Sequence, residues 1–248
     1  MKVKWEDYDD AVRALWTGRQ TAAERALLHG KADTGTRGTV TSGKHLDPLQ
    51  ALIAAQFEPL LALGAEIGHS MQLPLPGYYR KSRNWDVVVL LDGQLVAAVE
   101  AKSMSGSFGN NLNNRVEEAI GSAADIWRAY QDGLLGQVQP WIGWVYVLES
   151  RDGPGGSNHI VQEQVQPIFP SDPFFANLTY MQRARASAVR LVHENLYNAA
   201  CIIASRKDDG IEDEPDPLIS THNLTASIAA RVTYFETLYK ARTRPPSR

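Results

Sequence analysis

Residues 84–103 read NWDVVVLLDGQLVAAVEAKS, and no other stretch limits the fold as tightly. Val, Leu and Ala dominate it, the composition of strands buried in a sheet. Asp92-Gly93 interrupts the run, and an Asp-Gly pair between two apolar runs is a hairpin turn. The chain is therefore expected to fold around a sheet with this hairpin inside it. Three ionisable groups mark its open end: Asp86 at the start of the first strand, Glu100 and Lys102 at the end of the second. Charges are rarely put into an apolar sheet unless they are paired or bind a metal.

Register decides whether the three meet. Strand side chains alternate faces, so Glu100 and Lys102 point the same way, with Ala98 and Val96 behind them. Strict pairing across a two-residue loop sets Asp86 opposite Val99 and Glu100 opposite Trp85, with the carboxylates on opposite faces. A three-residue loop, 92–94, places Asp86 opposite Glu100. A two-residue loop with one bulge does the same. One of these two devices is expected.

Two carboxylates side by side repel each other unless a cation intervenes. Few, hard oxygen ligands suit Mg²⁺, which keeps several waters and accepts phosphate oxygens. Such a metal polarises a phosphoryl oxygen and activates water, and Lys102 offsets charge in the transition state. This is a site for metal-assisted phosphodiester hydrolysis. The bland reading stands beside it. A Glu-x-Lys triplet is expected by chance roughly once in a chain this long, and it occurs once here, so the triplet alone is compatible with an ordinary exposed strand end.

The chain has 248 residues, enough for one large domain with a sizeable core. The reading is one domain over 1–248, with a catalytic core at roughly 46–150 and helical extensions at 1–30 and 177–241. At 44% hydrophobic and 21% charged it has the composition of a globular protein. The single cysteine, Cys201, excludes an internal disulfide and a multi-cysteine zinc site; in NAACIIA it reads as buried. MKVKWEDYDD has no signal-peptide core, and no run approaches the roughly 18–20 apolar residues that span a bilayer, so a cytoplasmic protein is expected. A net charge of −3 argues only weakly against nucleic acid, because clustering matters more than the total. GYYRKSRN, 77–84, holds Arg80, Lys81 and Arg83 without an acid, and the tail KARTRPPSR is also basic. IEDEPDP, 211–217, reads as a solvated acidic loop.

Spacings of three and four predict a helix over 5–29. KADTGTRGTVTSGKHLD, 31–47, reads as a loop. Asp47-Pro48 starts a second helix that runs to about Gly68. A helix over 113–131, a strand within PWIGWVYVLES and two long helices near 177–206 and 222–241 follow. The result is a mixed α/β layered core with helical extensions.

Asp-x13-Glu-x-Lys on a hairpin resembles the active site of the PD-(D/E)xK nucleases. SFGNNLNNRVEEAIGSAADIW, 107–127, is more specific: it closely resembles the segment after the active site in the XhoI family of type II restriction endonucleases. LPGYYRKSRNWDVVVLLDGQLVAAVEAKS, 75–103, and RGTVTSGKHLD, 37–47, are similar to that family as well, with weaker similarity at PWIGWVYVLE and LYNAACIIAS. The resemblance implies a restriction-endonuclease-like core of mixed sheet flanked by helices. It implies a Mg²⁺-dependent homodimer that cuts double-stranded DNA at a palindrome, CTCGAG in the family's namesake, beside a cognate DNA methyltransferase in the same restriction-modification system. Carried over, Asp86 and Glu100 are the metal ligands and Lys102 the catalytic lysine. Trp85 stands where the superfamily motif has Pro, which is not a ligand. Two other readings are a repair or recombination nuclease of the same superfamily, and a DNA-binding protein with an inactive site.

Further candidates each have a structural alternative. GTVTSGKH, 38–45, nearly spells a P-loop, but His45 stands where the Mg²⁺-ligating Ser or Thr belongs. Arg37 and Lys44 on that loop either approach DNA phosphates or merely flank a connection. In GNNLNNR, Asn110, Asn111, Asn114 and Arg115 offer base-reading groups, while Asn113 or Asn114 also makes a helix cap. Glu117 and Glu118 suit a first helical turn or an accessory role beside Lys102. Glu66, placed on the second helix, is a possible further carboxylate or a solvated residue. His45, His69, His159, His193 and His222 lack metal spacing and read as structural or surface residues. Tyr78 and Tyr79 suit either the DNA backbone or a strand entry.

Overall fold

The computed structural model describes residues 3–28, 44–70, 73–160, 168–170, 172–207 and 209–242. Six strands form one mixed sheet in the order β1-β4-β5-β6-β7-β8. They are β1 (Glu66–His69), β4 (Val87–Leu91), β5 (Gln94–Met104), β6 (Trp141–Glu149), β7 (Ala199–Arg206) and β8 (Gly210–Asp213). Two short strands, β2 (Pro74–Pro76) and β3 (Ser82–Asn84), pair as a separate ribbon. β5, β6 and β7 run parallel, while β1, β4 and β8 pair antiparallel with their neighbours. Parallel strands need long crossovers. Helix α3 (Phe108–Gln131) supplies the first and α4 (Tyr180–His193) lies within the second.

Helices cover both faces. On one side α1 (Trp5–Leu28), α2 (Asp47–Ala55) and α5 (Thr221–Arg242) pack on Val87, Val89, Val99, Val145, Cys201 and Ile203. On the other, α3 and α4 pack on Val88, Ala98, Ile142, Trp144, Tyr146 and Ile202. This double cover is why β6 is buried along its whole length and shows no alternation. The mixed α/β layered core is as expected.

The hairpin uses the second of the two devices. Asp92 and Gly93 both take positive φ, 56° and 71°, the signature of a tight two-residue turn. Pairing runs Leu91↔Gln94 and Leu90↔Leu95, then shifts to Val89↔Ala97, Val88↔Ala98 and Val87↔Val99. Val96 is the extra residue. It joins Ala97 on the α1/α2/α5 face, while Leu95 and Ala98 face α3. Val96 therefore does not lie behind Glu100, as strict alternation would have it. The bulge restores the register at Val87↔Val99 that brings Asp86 and Glu100 within electrostatic reach of each other.

Other expectations are corrected. The helix expected over 47–68 stops at Ala55, a 3₁₀ turn at Glu58–Leu63 follows, and Glu66 lies on β1. Pro59 cannot continue the helix, and Gly64 at φ 89° closes the turn. The helix expected over 113–131 begins at Phe108, because burying Phe108 and Leu112 outweighs the low helix preference of the asparagines. No Asn caps it; Ser107 occupies the N-cap. Glu117 and Glu118 consequently sit in the third turn, beyond the reach of the helix's positive end. The helix expected over 177–206 is two elements: α4 ends at His193, Asn195 turns the chain at φ 56°, and the remainder is β7, deep in the sheet. Part of the acidic stretch, 211–213, forms the edge strand β8.

Candidate active site

Asp86 immediately precedes β4 and is fixed on all sides. Its backbone N–H donates to the Val99 carbonyl at 3.0 Å, and its own carbonyl accepts from Ser70 N–H at 3.1 Å. Its Oδ2 accepts from the Ala101 N–H at 2.8 Å, and its Oδ1 from Gln50 Nε2 at 3.0 Å. Burial raises its pKa against the opposing pull of Lys102 and the Ala101 amide. Gln50 is buried on α2, and its carbonyl oxygen accepts from the Ser70 hydroxyl at 3.2 Å. That hydroxyl also lies 2.9 Å from Asp47 Oδ1, so a polar chain ties α2 to the carboxylate.

Glu100 projects from β5 and is 2% exposed. Its Oε1 meets Lys102 Nζ at 2.8 Å and Arg83 Nη2 at 2.6 Å. Arg83 comes from β3, with its guanidinium 5.0 Å from the Trp85 ring. Two carboxylates are thus balanced by two cations within one cluster. Behind it lies Tyr197, whose hydroxyl donates to the Ala119 carbonyl at 3.0 Å. Burial, with the charge of Glu100 beside it, pushes that hydroxyl well above its ordinary range.

Among the described residues Glu100 Oε2 is buried with no partner at hydrogen-bond distance, although the Tyr197 hydroxyl lies close enough to feel Glu100. An unmet carboxylate oxygen is costly inside a protein and calls for a cation or a donor. With Asp86 beside it, the donor set fits a hard divalent ion whose remaining positions are filled by water and phosphate oxygens. Among the described residues no group of three or more His, Cys, Asp or Glu could hold a metal, so any such ion would rest on few protein ligands.

A second polar cluster lies where β5 leaves Lys102. Ser103 Oγ is 2.8 Å from His45 Nε2 and accepts from Arg19 Nη1 at 3.2 Å. His45 is buried in the 3₁₀ turn Lys44–Leu46, and burial, then the charge of Arg19, lowers its pKa.

The remaining sequence candidates divide. Arg83 enters the site, whereas Arg80 pairs with Asp125 at 3.1 Å on the loop between β2 and β3. Asp125 also accepts the backbone N–H groups of Tyr78 and Tyr79 at 2.9 and 2.8 Å. A Cβ at Gly77 would stand 2.8 Å from Asp125 Oδ2, so only glycine fits there. The clamp holds the tip in place, with Tyr79 71% exposed and Lys81 exposed beside it. Asn111 and Asn114 lie on the first turns of α3, and Arg115 pairs with Glu118 at 2.5 Å. Asn110 lies on the same helix, its side chain outside the described residues. Lys44 is exposed; Arg37 and residues 38–43 of the P-loop-like stretch lie outside the described residues. Glu117 is exposed and lines a cavity of about 210 Å³ between α3 and α4 with Arg183 and Phe175. Glu66 pairs opposite Leu90, at the far end of β1 from His69↔Val87. Neither is brought to the carboxylate pair. Cys201 is buried in β7, and burial raises its thiol pKa.

Gln50, Ser70 and Tyr197 were not foreseen. Gln50 carried a signal: it stands one helical turn before Ile53 and Ala54 on the buried side of α2, where a polar residue needs a partner.

The family model described as restriction endonuclease XhoI matches residues 25–214. The type II restriction enzyme BstVI of Geobacillus stearothermophilus is 36% identical over 187 residues, 73% of this chain and 82% of that protein. The type II restriction enzyme AbrI of Azospirillum brasilense is 40% identical over 156 residues, 60% of this chain and 70% of its own. The type II restriction enzyme XhoI of Xanthomonas vasicola is 36% identical over 200 residues, 77% of this chain and 78% of its own. No solved structure matches the chain.

Proposed function

The chain belongs to the XhoI family of restriction endonucleases, and we propose that it is a Mg²⁺-dependent type II enzyme whose cutting centre is Asp86, Glu100 and Lys102. The observation that carries this reading is their convergence at the open end of a bulged hairpin. In a PD-(D/E)xK centre Asp86 and the unpartnered Glu100 Oε2 would hold the metal. Bound there, Mg²⁺ supplies a Lewis acid for the phosphoryl oxygen and a water of lowered pKa.

The chain's own groups do the rest. Gln50 and the Ala101 amide hold Asp86 in one orientation. Glu100, gripped through Oε1, keeps Oε2 free. Lys102 orients the attacking water and faces the charge that builds on the phosphate. The water oxygen bonds to phosphorus as the P–O3′ bond breaks. The proton it gives up is matched by one taken at the 3′ oxygen, leaving 5′-phosphate and 3′-hydroxyl ends.

Double-stranded DNA is the substrate and CTCGAG the target that the family supports. A palindrome is read by a twofold homodimer, one half-site per protomer. Arg80, Lys81, Lys44 and Arg37 contribute salt-dependent phosphate contacts. Asn110, Asn111, Asn114 and Arg115, at the start of α3, are the base-reading candidates, each good bidentate pair worth about 1–3 kcal/mol of discrimination. A cognate methyltransferase protects the cell's own DNA in the cytoplasm.

The test is digestion of phage lambda DNA with Mg²⁺ and with EDTA, beside Lys102→Ala. Discrete Mg²⁺-dependent fragments matching CTCGAG, absent in the variant, are expected. Fragments of another pattern would keep the chemistry and replace the target. No cutting by folded wild type would overturn the nuclease reading.

A further inference from the structure

We propose that Arg19, seated on Ser103 and His45, binds a second phosphate of the DNA backbone next to the one being cut. The inference rests on the nuclease reading above. It begins from the pleat: Lys102 and Ser103 are consecutive on β5, so their side chains leave opposite faces of one strand end. Lys102 turns to the carboxylates. Ser103 turns to α1 and the 3₁₀ turn, where its oxygen takes an N–H of Arg19 and lies against His45 Nε2.

The Ser103 hydroxyl shares a hydrogen bond with His45 Nε2, and in either imidazole tautomer its oxygen keeps a lone pair to accept from Arg19 Nη1. Among the described residues this bond engages one of the five guanidinium N–H donors of Arg19. Among the described residues no carboxylate lies within ion-pair distance of Arg19, although it is half-buried. Glu149 is the acid it senses most; its Oε1 is bonded to Lys207 at 3.1 Å, while its buried Oε2 has no hydrogen-bond partner among the described residues. The Trp16 ring, 5.8 Å from the guanidinium, further fixes its place. A guanidinium anchored by a hydroxyl and a ring, with donors to spare, matches the oxygens of a phosphate diester.

The surroundings fit a strand of phosphates. Arg115 approaches from α3 on the other side of the sheet, near enough to oppose the charge of Arg19. Cations from α1 and α3 are therefore within electrostatic reach of each other, and β5 adds Lys102, the residue before Ser103. Asp47 is the acid that faces His45, and it is occupied by the Ser70 hydroxyl.

Binding to a short CTCGAG duplex in EDTA, followed by anisotropy across a salt series, tests the assignment. Each phosphate contact contributes about 0.9 to the slope of log affinity against log salt. Arg19→Gln is expected to lower that slope by about 0.9 per protomer, and Arg19→Lys to retain it. If Arg19→Gln fails to fold by circular dichroism, Arg19→Met, which keeps the stem against Trp16, makes the same comparison. A folded variant with the wild-type slope would overturn this inference alone. Wild type that neither binds the duplex nor cuts lambda DNA with Mg²⁺ would overturn the nuclease reading, and this inference with it.

Discussion

Arg83 Nη2 lies 2.6 Å from Glu100 Oε1, so a residue of the small β2–β3 ribbon closes on the carboxylate of the main sheet. The pair is mostly shielded, with side chains 18% and 3% exposed. It brings a second cation to an oxygen that Lys102 already holds.

Arg83→Ala leaves Glu100 buried with Lys102 alone. Loss of one charged hydrogen bond there is expected to destabilise the fold by about 2 kcal/mol, and cleavage should fall with it as Lys102 swings to compensate. Arg83→Lys should recover part of the stability and less of the rate, because it keeps the charge without the planar fork. Urea midpoints and single-turnover cleavage rates read the two effects separately.

Gln50 acts through Asp86 and is a positioning residue. Gln50→Ala removes the donor to Oδ1 and leaves the Ala101 amide, among the described residues, as the hydrogen-bond donor to that carboxylate. Outer partners of metal ligands typically matter by about 10–100-fold. The half-saturating Mg²⁺ concentration should therefore rise by about that factor, with the rate at saturating Mg²⁺ changed much less. An unaltered Mg²⁺ titration would mean that Gln50 only fills space.

His45 sets a pH dependence of stability. Its folded pKa lies below the ordinary value because burial, then Arg19, disfavours the charged ring, while Asp47 works the other way. The unfolded chain then binds the proton more readily. The contribution is fully present above the unfolded value of about 6.5 and is lost as pH falls through the lower folded value. His45→Gln should flatten this part of the curve of melting temperature against pH. A slope unchanged between pH 7 and 5 in the variant would assign the effect elsewhere.

The bulge at Val96 is the device that aligns the site. Deleting Val96 removes the extra residue and leaves Val89↔Ala97, Val88↔Ala98 and Val87↔Val99 as partners, so Asp86 stays aligned with Glu100 in a hairpin without a bulge. Cleavage should therefore survive in a folded deletion variant, because the register of the two carboxylates is unchanged. Gel digestion with a circular dichroism control measures this. Loss of cutting by a folded deletion variant would show that the bulge shapes the site by more than register.

The hairpin was readable because its information is local. Asp-Gly fixes the turn, and the demand that two carboxylates meet dictates one extra residue. β7 was not readable. AACIIA is buried on both faces, so it has no period to separate strand from helix, and the stop at Asn195 is a single residue. Helix α3 began early because core contacts of Phe108 overruled local preference. Gln50, Ser70, His45 and Arg19 were invisible as site residues for another reason. They reach the hairpin across 36, 16, 58 and 84 positions of sequence, through contacts that only the folded sheet creates.

The turn at Asp92-Gly93 has a consequence for how the site is made and inherited. Asp86 and Glu100 are only fourteen positions apart. Closing so short a loop costs little entropy, and hairpins form within about 1–10 μs. The two carboxylates can therefore meet early, before the distant helices have docked. The parts assigned to grip and read DNA lie outside this hairpin, on α1, α3 and the β2–β3 tip. A lineage could exchange those parts, and with them its target, while passing on the cutting hairpin unaltered.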